Sequence, residues 1–318
     1  MPAPPVSVLK ALHPMPFPNS FDVRTGLRQL ISYGSVILPL DAGIRFERWF
    51  RGYEEKKKLD AADVVVASFG KAGRTWLRVL LWRYFARKNG YASDSISGFD
   101  EFRHRRPNVP ALFFTHDNYL KDYLGHDRKA DIYRNLPVVL LVRDPRDTAV
   151  SQFFQWKHRM TARKKVINGY PLADVSVHDF IAGEEAGIPK IISFMNDWAA
   201  EARKFPKLLV VRYEDLRADT KGQLRRILEF LGQHPADAEL EDAVNFASID
   251  NMRRMEIENA SKAGAQRSMK PGDANDPSSF KVRRGKVGGW HDYVTEEQAE
   301  ALNLMVRETL NPVYGYTA

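Results

Sequence analysis

Three stretches of the chain share one hydrophobic pattern. "DVVVASF" (63–69), "PVVLLV" (137–142) and "KLLVVRYEDL" (207–216) are short, nearly continuous apolar runs rich in β-branched residues, and each leads into a stretch with helical periodicity. After the first, Leu77, Leu80, Leu81, Tyr84 and Phe85 fall on one helical face. After the second, Val150, Phe153 and Phe154 do the same. After the third, Asp219 stands where a helix cap belongs. Leu224, Ile227, Leu228 and Leu231 make an inner face, and Gly232 sits at the stop. Strands apolar on both faces and alternating with helices predict an α/β fold, a central parallel sheet flanked by helices.

Two segments depart from this rhythm. Residues 259–280, "NASKAGAQRSMKPGDANDPSSF", are rich in Gly, Ala, Ser, Pro and Lys and read as a mobile loop or a plain surface insertion. "IRFERWFRGYEEKKK" (44–58) interleaves aromatics with cations. It suits a helix docked on the domain with a solvated basic face, or one lying on an anionic membrane surface. The first twenty residues are proline-rich without the apolar core of a secretory signal. We therefore expect an N-terminal extension over 1–60, helical or irregular, and one domain over 61–318 in a cytoplasmic protein.

Composition narrows the chemistry. Cysteine is absent from the 318 residues, which removes disulfides, thiolate metal sites and a cysteine nucleophile. A formal charge of +8 favours anionic ligands.

Where such ligands would bind is suggested by the residues after the runs. "SFGKAGRTW" (68–76) places two glycines, Lys71, Arg74 and Thr75 between a strand and a helix, where unpaired amides and the helix dipole hold phosphate or sulfate. It is no Walker A loop, because its lysine precedes the second glycine, so the ligand need not be a nucleoside triphosphate with magnesium. "VRDPRDTAVS" (142–151) supplies a second anion site: Arg143 leaves the strand end and Ser151 follows inside the next helix. "RRGKVGGW" (283–290) has the composition of a phosphate clamp, or of a basic turn.

These strings together resemble the cytosolic sulfotransferase family. "FGKAGRTW" is similar to its Y-P-K-S-G-T-T-W, and "RDPRDTAVS" to R-N-P-[RK]-D-x-x-V-S. "VRYEDL" resembles F-Y-E-D-L, and "RRGKVGGW" resembles R-K-G-x-x-G-D-W. The likeness runs in order from Asp63 to the end of the chain. It implies a P-loop-like, nucleotide-kinase-like three-layer sandwich. The implied reaction is metal-free transfer of a sulfuryl group from 3'-phosphoadenosine 5'-phosphosulfate (PAPS) to a hydroxyl or amine. By the same resemblance Lys71 assists the leaving group, and Ala72, Gly73, Arg74, Thr75 and Trp76 sit at the 5'-phosphate and adenine. Arg143 and Ser151 match ligands of the 3'-phosphate, and Ser151 joins Lys71 in the catalytic set. Tyr213 contacts adenine, Ser248 in "FASIDNM" belongs to the segment covering the base, and Arg283, Arg284 and Gly285 close on the 3'-phosphate. Thr115-His116 resembles the family's K-T-H, whose histidine is the base.

The sequence also departs from that pattern. Gly70 replaces a proline, Ala72 a serine, Arg74 a threonine, and Phe114 the lysine before Thr-His. "HDYVTEEQAE" (291–300) keeps Thr295 and Glu300 of the family's dimer motif K-x-x-x-T-V-x-x-x-E, but His291 and Glu296 break it, which leaves the oligomeric state open. A small-molecule kinase would need ATP and magnesium and is opposed by the early lysine. A non-enzymatic polyanion-binding module would need a basic–aromatic patch, which appears only at 44–58; no nucleic-acid partner is expected. The acceptor, whether small molecule, lipid or carbohydrate, is not readable, but in such a fold it would lie under the 259–280 loop and beside "QFFQWKHRMTARKKVINGY" (152–170).

Overall fold

The computed structural model describes residues 39–90, 109–261 and 270–316. The proline-rich start and residues 262–269 of the 259–280 segment lie outside them. Four strands, β1 (Val64–Ser68), β2 (Leu112–Thr115), β3 (Val138–Val142) and β4 (Leu208–Arg212), form one parallel sheet in the order β2-β1-β3-β4. Val66 pairs with Phe114 on one side and Val139 on the other, and Leu140 pairs with Val210. Every residue of β1 and β3 is buried. Successive residues point to opposite faces, so the pattern divides the core. Val65, Ala67, Val138, Leu140 and Val142 join Phe153, Trp156 and Trp198 on one side. Val64, Val66, Val139 and Leu141 join Leu77, Leu80, Trp82 and Ile227 on the other. The expected three layers are present.

The helix after β1, α2 (Arg74–Lys88), buries Leu77, Leu80, Leu81, Tyr84 and Phe85 as their spacing predicts. The helix after β3, α5 (Pro145–His158), is capped by Asp144, which accepts from the Arg146 amide at 2.8 Å. Asp219 caps α10 (Thr220–Phe230) by accepting from Gly222 at 2.8 Å, and Gly232 adopts φ +73° beyond it.

Two expectations change. The third apolar run ends as a strand at Arg212, and Tyr213–Ala218 forms a short helix, α9. Its buried residues, Tyr213 and Leu216, are three apart, a helical spacing that a run read as continuous conceals. The four-residue β2 was not expected from pattern at all.

Residues 40–60 of the proposed extension form α1 (Leu40–Asp60), which packs on α3 (Leu120–Leu124). Gly52 is required there, since a Cβ would lie 2.3 Å from the Tyr119 carbonyl oxygen. Arg48 donates to Asp122 and to the Asn118 and Ile167 carbonyls, while buried Glu47 pairs with Arg51 and Arg163. The docked reading of 44–58 therefore describes its inner face, and Phe46 and Trp49 stay exposed. No described helix is long and apolar enough to cross a membrane.

Candidate functional site

All four strands deliver site residues at their carboxyl ends, the usual ligand edge of an open α/β sheet. Loop 69–73 follows β1, His116 follows β2, Arg143 follows β3 and Tyr213 follows β4. With residues 281–286 they line one cavity of about 430 Å³.

The β1–α2 loop is shaped by two left-handed residues. Lys71 has φ +72° and Gly73 φ +100°. The second must be glycine, because a Cβ would meet the Tyr213 ring at 2.6 Å. No side chain caps α2, so its first amides are available to a ligand. Lys71 is pushed down to about 7 by burial, then by Arg159, with Arg143 and Arg283 adding to the effect and Glu256 opposing it. Such a lysine meets its anion with little water to displace.

Arg143 joins three parts of the site. It donates to the Lys71 carbonyl at 3.4 Å and to the Lys286 carbonyl at 3.2 Å, and its guanidinium lies 4.4 Å from the Tyr213 ring centre. Its Nε is buried without a partner. Tyr213 packs edge-on against Trp76, whose indole N–H donates to the Ala247 carbonyl at 2.9 Å.

The 283–290 segment is held by buried carboxylates. Asp147, on the first turn of α5, accepts from the Gly288 and Trp290 amides at 2.8 and 3.0 Å. Glu256, fully buried on α12 (Ile249–Ser261), accepts from the Lys281 and Val282 amides at 2.7 and 3.0 Å and pairs with Arg159 at 3.0 Å. Arg159 also donates to the Ser279 carbonyl, tying down the described end of the 259–280 segment. Arg283 stacks on Phe154 at 3.7 Å, and Arg284 and Lys286 pair with Asp292.

His116 is fixed as one tautomer. Its Nδ1–H donates to the Ser68 carbonyl at 3.0 Å, which leaves Nε2 as an acceptor, and there it receives Arg74 Nη2 at 2.6 Å. Burial, and after it the Arg74 guanidinium, hold the ring well below its ordinary pKa. The imidazole is thus neutral, with its basic lone pair held by Arg74. Behind Arg74, Glu55 of α1 is raised to about 7 by burial and by Asp117, with Arg74 opposing.

Of the residues singled out in the sequence, Lys71, Gly73, Arg74, Thr75, Trp76, His116, Arg143, Ser151, Tyr213, Arg283, Arg284 and Gly285 line the cavity together. Ala72 and Ser248 do not. The Ala72 side chain is buried in the core, and exposed Ser248 accepts from the Asn251 amide, capping α12. Phe114 packs against the core with Arg78 4.6 Å from its ring centre. Gln152, Lys164 and Tyr170, from the 152–170 stretch expected beside the acceptor, also line the cavity; sequence reasoning missed Lys281 and Asn118, which line it too, and the anchoring roles of Asp147 and Glu256. The aspartate of "RDPRD" was the visible signal for Asp147. No group of side chains suited to a metal ion occurs among the described residues.

Comparison with known proteins identifies the family and the fold. Residues 61–313 match the family model described as the sulfotransferase domain. Cytosolic sulfotransferase 3 of Arabidopsis thaliana is 23% identical over 285 residues, which cover 85% of this chain and 82% of that protein. Cytosolic sulfotransferase 16 of the same plant is 26% identical over 272 residues, covering 77% and 75%. Among solved structures, mouse sulfotransferase SULT7A1 complexed with PAP superposes with a TM-score of 0.53 at 20% identity, over 80% of this chain and 89% of that one. Retinol dehydratase in complex with retinol and PAP gives 0.52 at 19%, over 78% and 81%. At such identities the structural likeness speaks for the fold alone.

Proposed function

The chain belongs to the sulfotransferase domain family, and from that premise we propose that its cavity binds PAPS and transfers the sulfuryl group to a hydroxyl or amine of a small-molecule acceptor. The observation that carries the assignment is the meeting of His116 and Lys71 in one cavity with two strand-end anion loops and a basic clamp. The residues fit the donor: the buried Arg143 Nε lacks a partner and the α2 N-terminus is uncapped.

The chemistry follows from placement. The acceptor oxygen attacks sulfur, and its proton passes to His116 Nε2, the one ring nitrogen without its own proton. The bond from sulfur to the bridging oxygen breaks, and the electron pair stays on the 5'-phosphate. Lys71 stabilises the charge developing there, while the α2 amides and Thr75 hold the phosphate in place. Arg143, Ser151, Arg283, Arg284 and Gly285 bind the 3'-phosphate, and Trp76 and Tyr213 flank the base. Gly70 and Ala72 make this loop less preset and one hydroxyl poorer than the family pattern, and the added charge of Arg74 is spent on His116 instead. We assign the reaction to the cytoplasm, with peripheral membrane contact through exposed Phe46 and Trp49 as its finer form. Liposome co-sedimentation checks the latter: equal pelleting of a Phe46→Ser, Trp49→Ser variant and the unaltered protein would remove it.

The donor assignment is tested by thermal denaturation with 3'-phosphoadenosine 5'-phosphate (PAP), with ADP, and with ATP plus magnesium. A ligand that binds the native state raises the midpoint according to its affinity. We expect stabilisation by PAP, lost in Arg143→Ala. Stabilisation by ATP with magnesium alone would sink the assignment in favour of a kinase.

A further inference from the structure

The cavity carries more positive charge than a nucleotide donor uses. Its lining holds nine lysines and arginines against one carboxylate, Asp147, and that carboxylate is occupied by two backbone amides and by Arg143 at 3.4 Å. Most of the cations stand on the strand-end loops and the 283–286 clamp, where the donor's phosphates are assigned. Arg74, Lys164 and Lys281 line the same cavity, and the field of each acts on the His116 imidazole.

Two further observations concern Arg74. One of its nitrogens, Nη2, occupies His116 Nε2 at 2.6 Å, the atom that must accept the acceptor's proton. The other, Nη1, is buried and has no hydrogen-bond partner. Glu55 lends Arg74 a favourable field, yet its own Oε2 is also buried without a partner, so it does not fill that vacancy. A buried guanidinium with an unused donor is costly unless a ligand completes it. Polar side chains including Asn118, Gln152, Gln155, Asn168 and Tyr170 line the same cavity. A flat apolar acceptor would leave Arg74 Nη1 without a partner.

We propose, resting on the sulfotransferase reading of the same cavity, that the acceptor is an alcohol or phenol bearing its own carboxylate or phosphate, and that this anion docks on Arg74, Lys164 and Lys281. Pairing with the anion draws the Arg74 guanidinium away from His116 and completes its bonding. His116 Nε2 is then free to take the proton of the attacking hydroxyl. The acceptor's charged group thereby releases the base that activates it, and a neutral alcohol of the same shape leaves the base occupied.

The test uses the full chain saturated with PAP, so that the donor site is filled, and titrates it calorimetrically with matched pairs. These are 4-hydroxyphenylacetate against 4-hydroxyphenylacetamide, and glycerol 3-phosphate against glycerol. Vesicles of phosphatidylglycerol against phosphatidylcholine distinguish a lipid-borne phosphate from a soluble one. The expected result is that the charged member of at least one pair binds at least about tenfold more tightly. In Lys164→Met, which retains PAP binding, that preference collapses, and Lys164→Arg restores it. A second readout is transfer from PAPS: the charged member should gain in kcat as well as in KM, since it frees the base. Equal binding within every pair, binding of neutral members alone, binding of none, or a preference untouched by Lys164→Met overturns the proposal. Absence of PAP binding at the outset overturns the donor-site reading itself, and with it the premise.

Discussion

The strand-end loops and the 281–290 clamp face each other across one cavity but are held in place by different means. Loop 69–73 inherits its position from β1, a strand buried on both faces, and its curvature from left-handed backbone at Lys71 and Gly73. The clamp has no sheet beneath it. Its position comes from two carboxylates that each accept two consecutive or near-consecutive amides, Glu256 for Lys281 and Val282 and Asp147 for Gly288 and Trp290. The first arrangement is as rigid as the core. The second is as strong as a few charge-assisted hydrogen bonds, and it yields when they do.

The sharpest way to break this comparison is to remove one carboxylate charge. Glu256→Gln unbalances a pair with Arg159 whose acidic side chain is fully buried. Breaking such a pair costs about 3–5 kcal/mol, measurable by denaturant unfolding. Hydrogen exchange should quicken at Lys281 and Val282 while the amides of β1 keep their protection. Uniform loosening of both regions would show that they are one unit. Asp147→Asn acts on the other anchor and should weaken PAP binding about tenfold with a smaller loss of stability.

A second prediction concerns charge on the sheet-held side. Lys71 sits near 7 in the free protein, so at pH 8 it is mostly neutral. A bound anion raises it again, so binding at pH 8 should take up close to one proton, about as expected for a single linked group. Affinity should fall as pH rises above 7. Calorimetry in buffers of different ionisation enthalpy measures the uptake, and Lys71→Met should abolish it. Uptake that persists in Lys71→Met would move the linked group to the clamp.

The smallest effect belongs to Arg74. Burial and, after it, Arg74 hold the His116 pKa down, so Arg74→Met should raise it and move the acid limb of the pH–rate profile upward. An unmoved limb would mean that burial alone sets the imidazole.

The same division explains what could be read in the sequence. The strand-end loops are contiguous strings, so a loop between an apolar run and a helical period exposes Lys71, Arg74, Thr75, Arg143 and Ser151 at once. Lys164 stands in the basic, aromatic 152–170 stretch expected beside the acceptor, but Lys281 and Glu256 come from distant segments that carry no local pattern, and only folding brings them to it. β2 is too short for periodicity to register, and His116 at its end was found through resemblance to a family rather than through any property of the string. The strand–helix change at Tyr213 was hidden because "RYEDL" keeps its apolar residues three apart directly after a strand. Ser248 lay in a stretch whose neighbours Ile249 and Met252 do line the cavity, but its hydroxyl is spent on starting a helix.

Trp76 gives the protein an optical property. The chain has six tryptophans. Trp82, Trp156, Trp198 and Trp290 are nearly inaccessible and Trp49 looks outward, so among them Trp76 lines the cavity. Its indole is anchored to Ala247 and flanked by the Arg217 guanidinium at 5.5 Å. A base stacking beside that ring would quench its emission while the five others keep theirs. Donor occupancy can therefore be followed continuously by intrinsic fluorescence, with Trp76→Phe as the silent control.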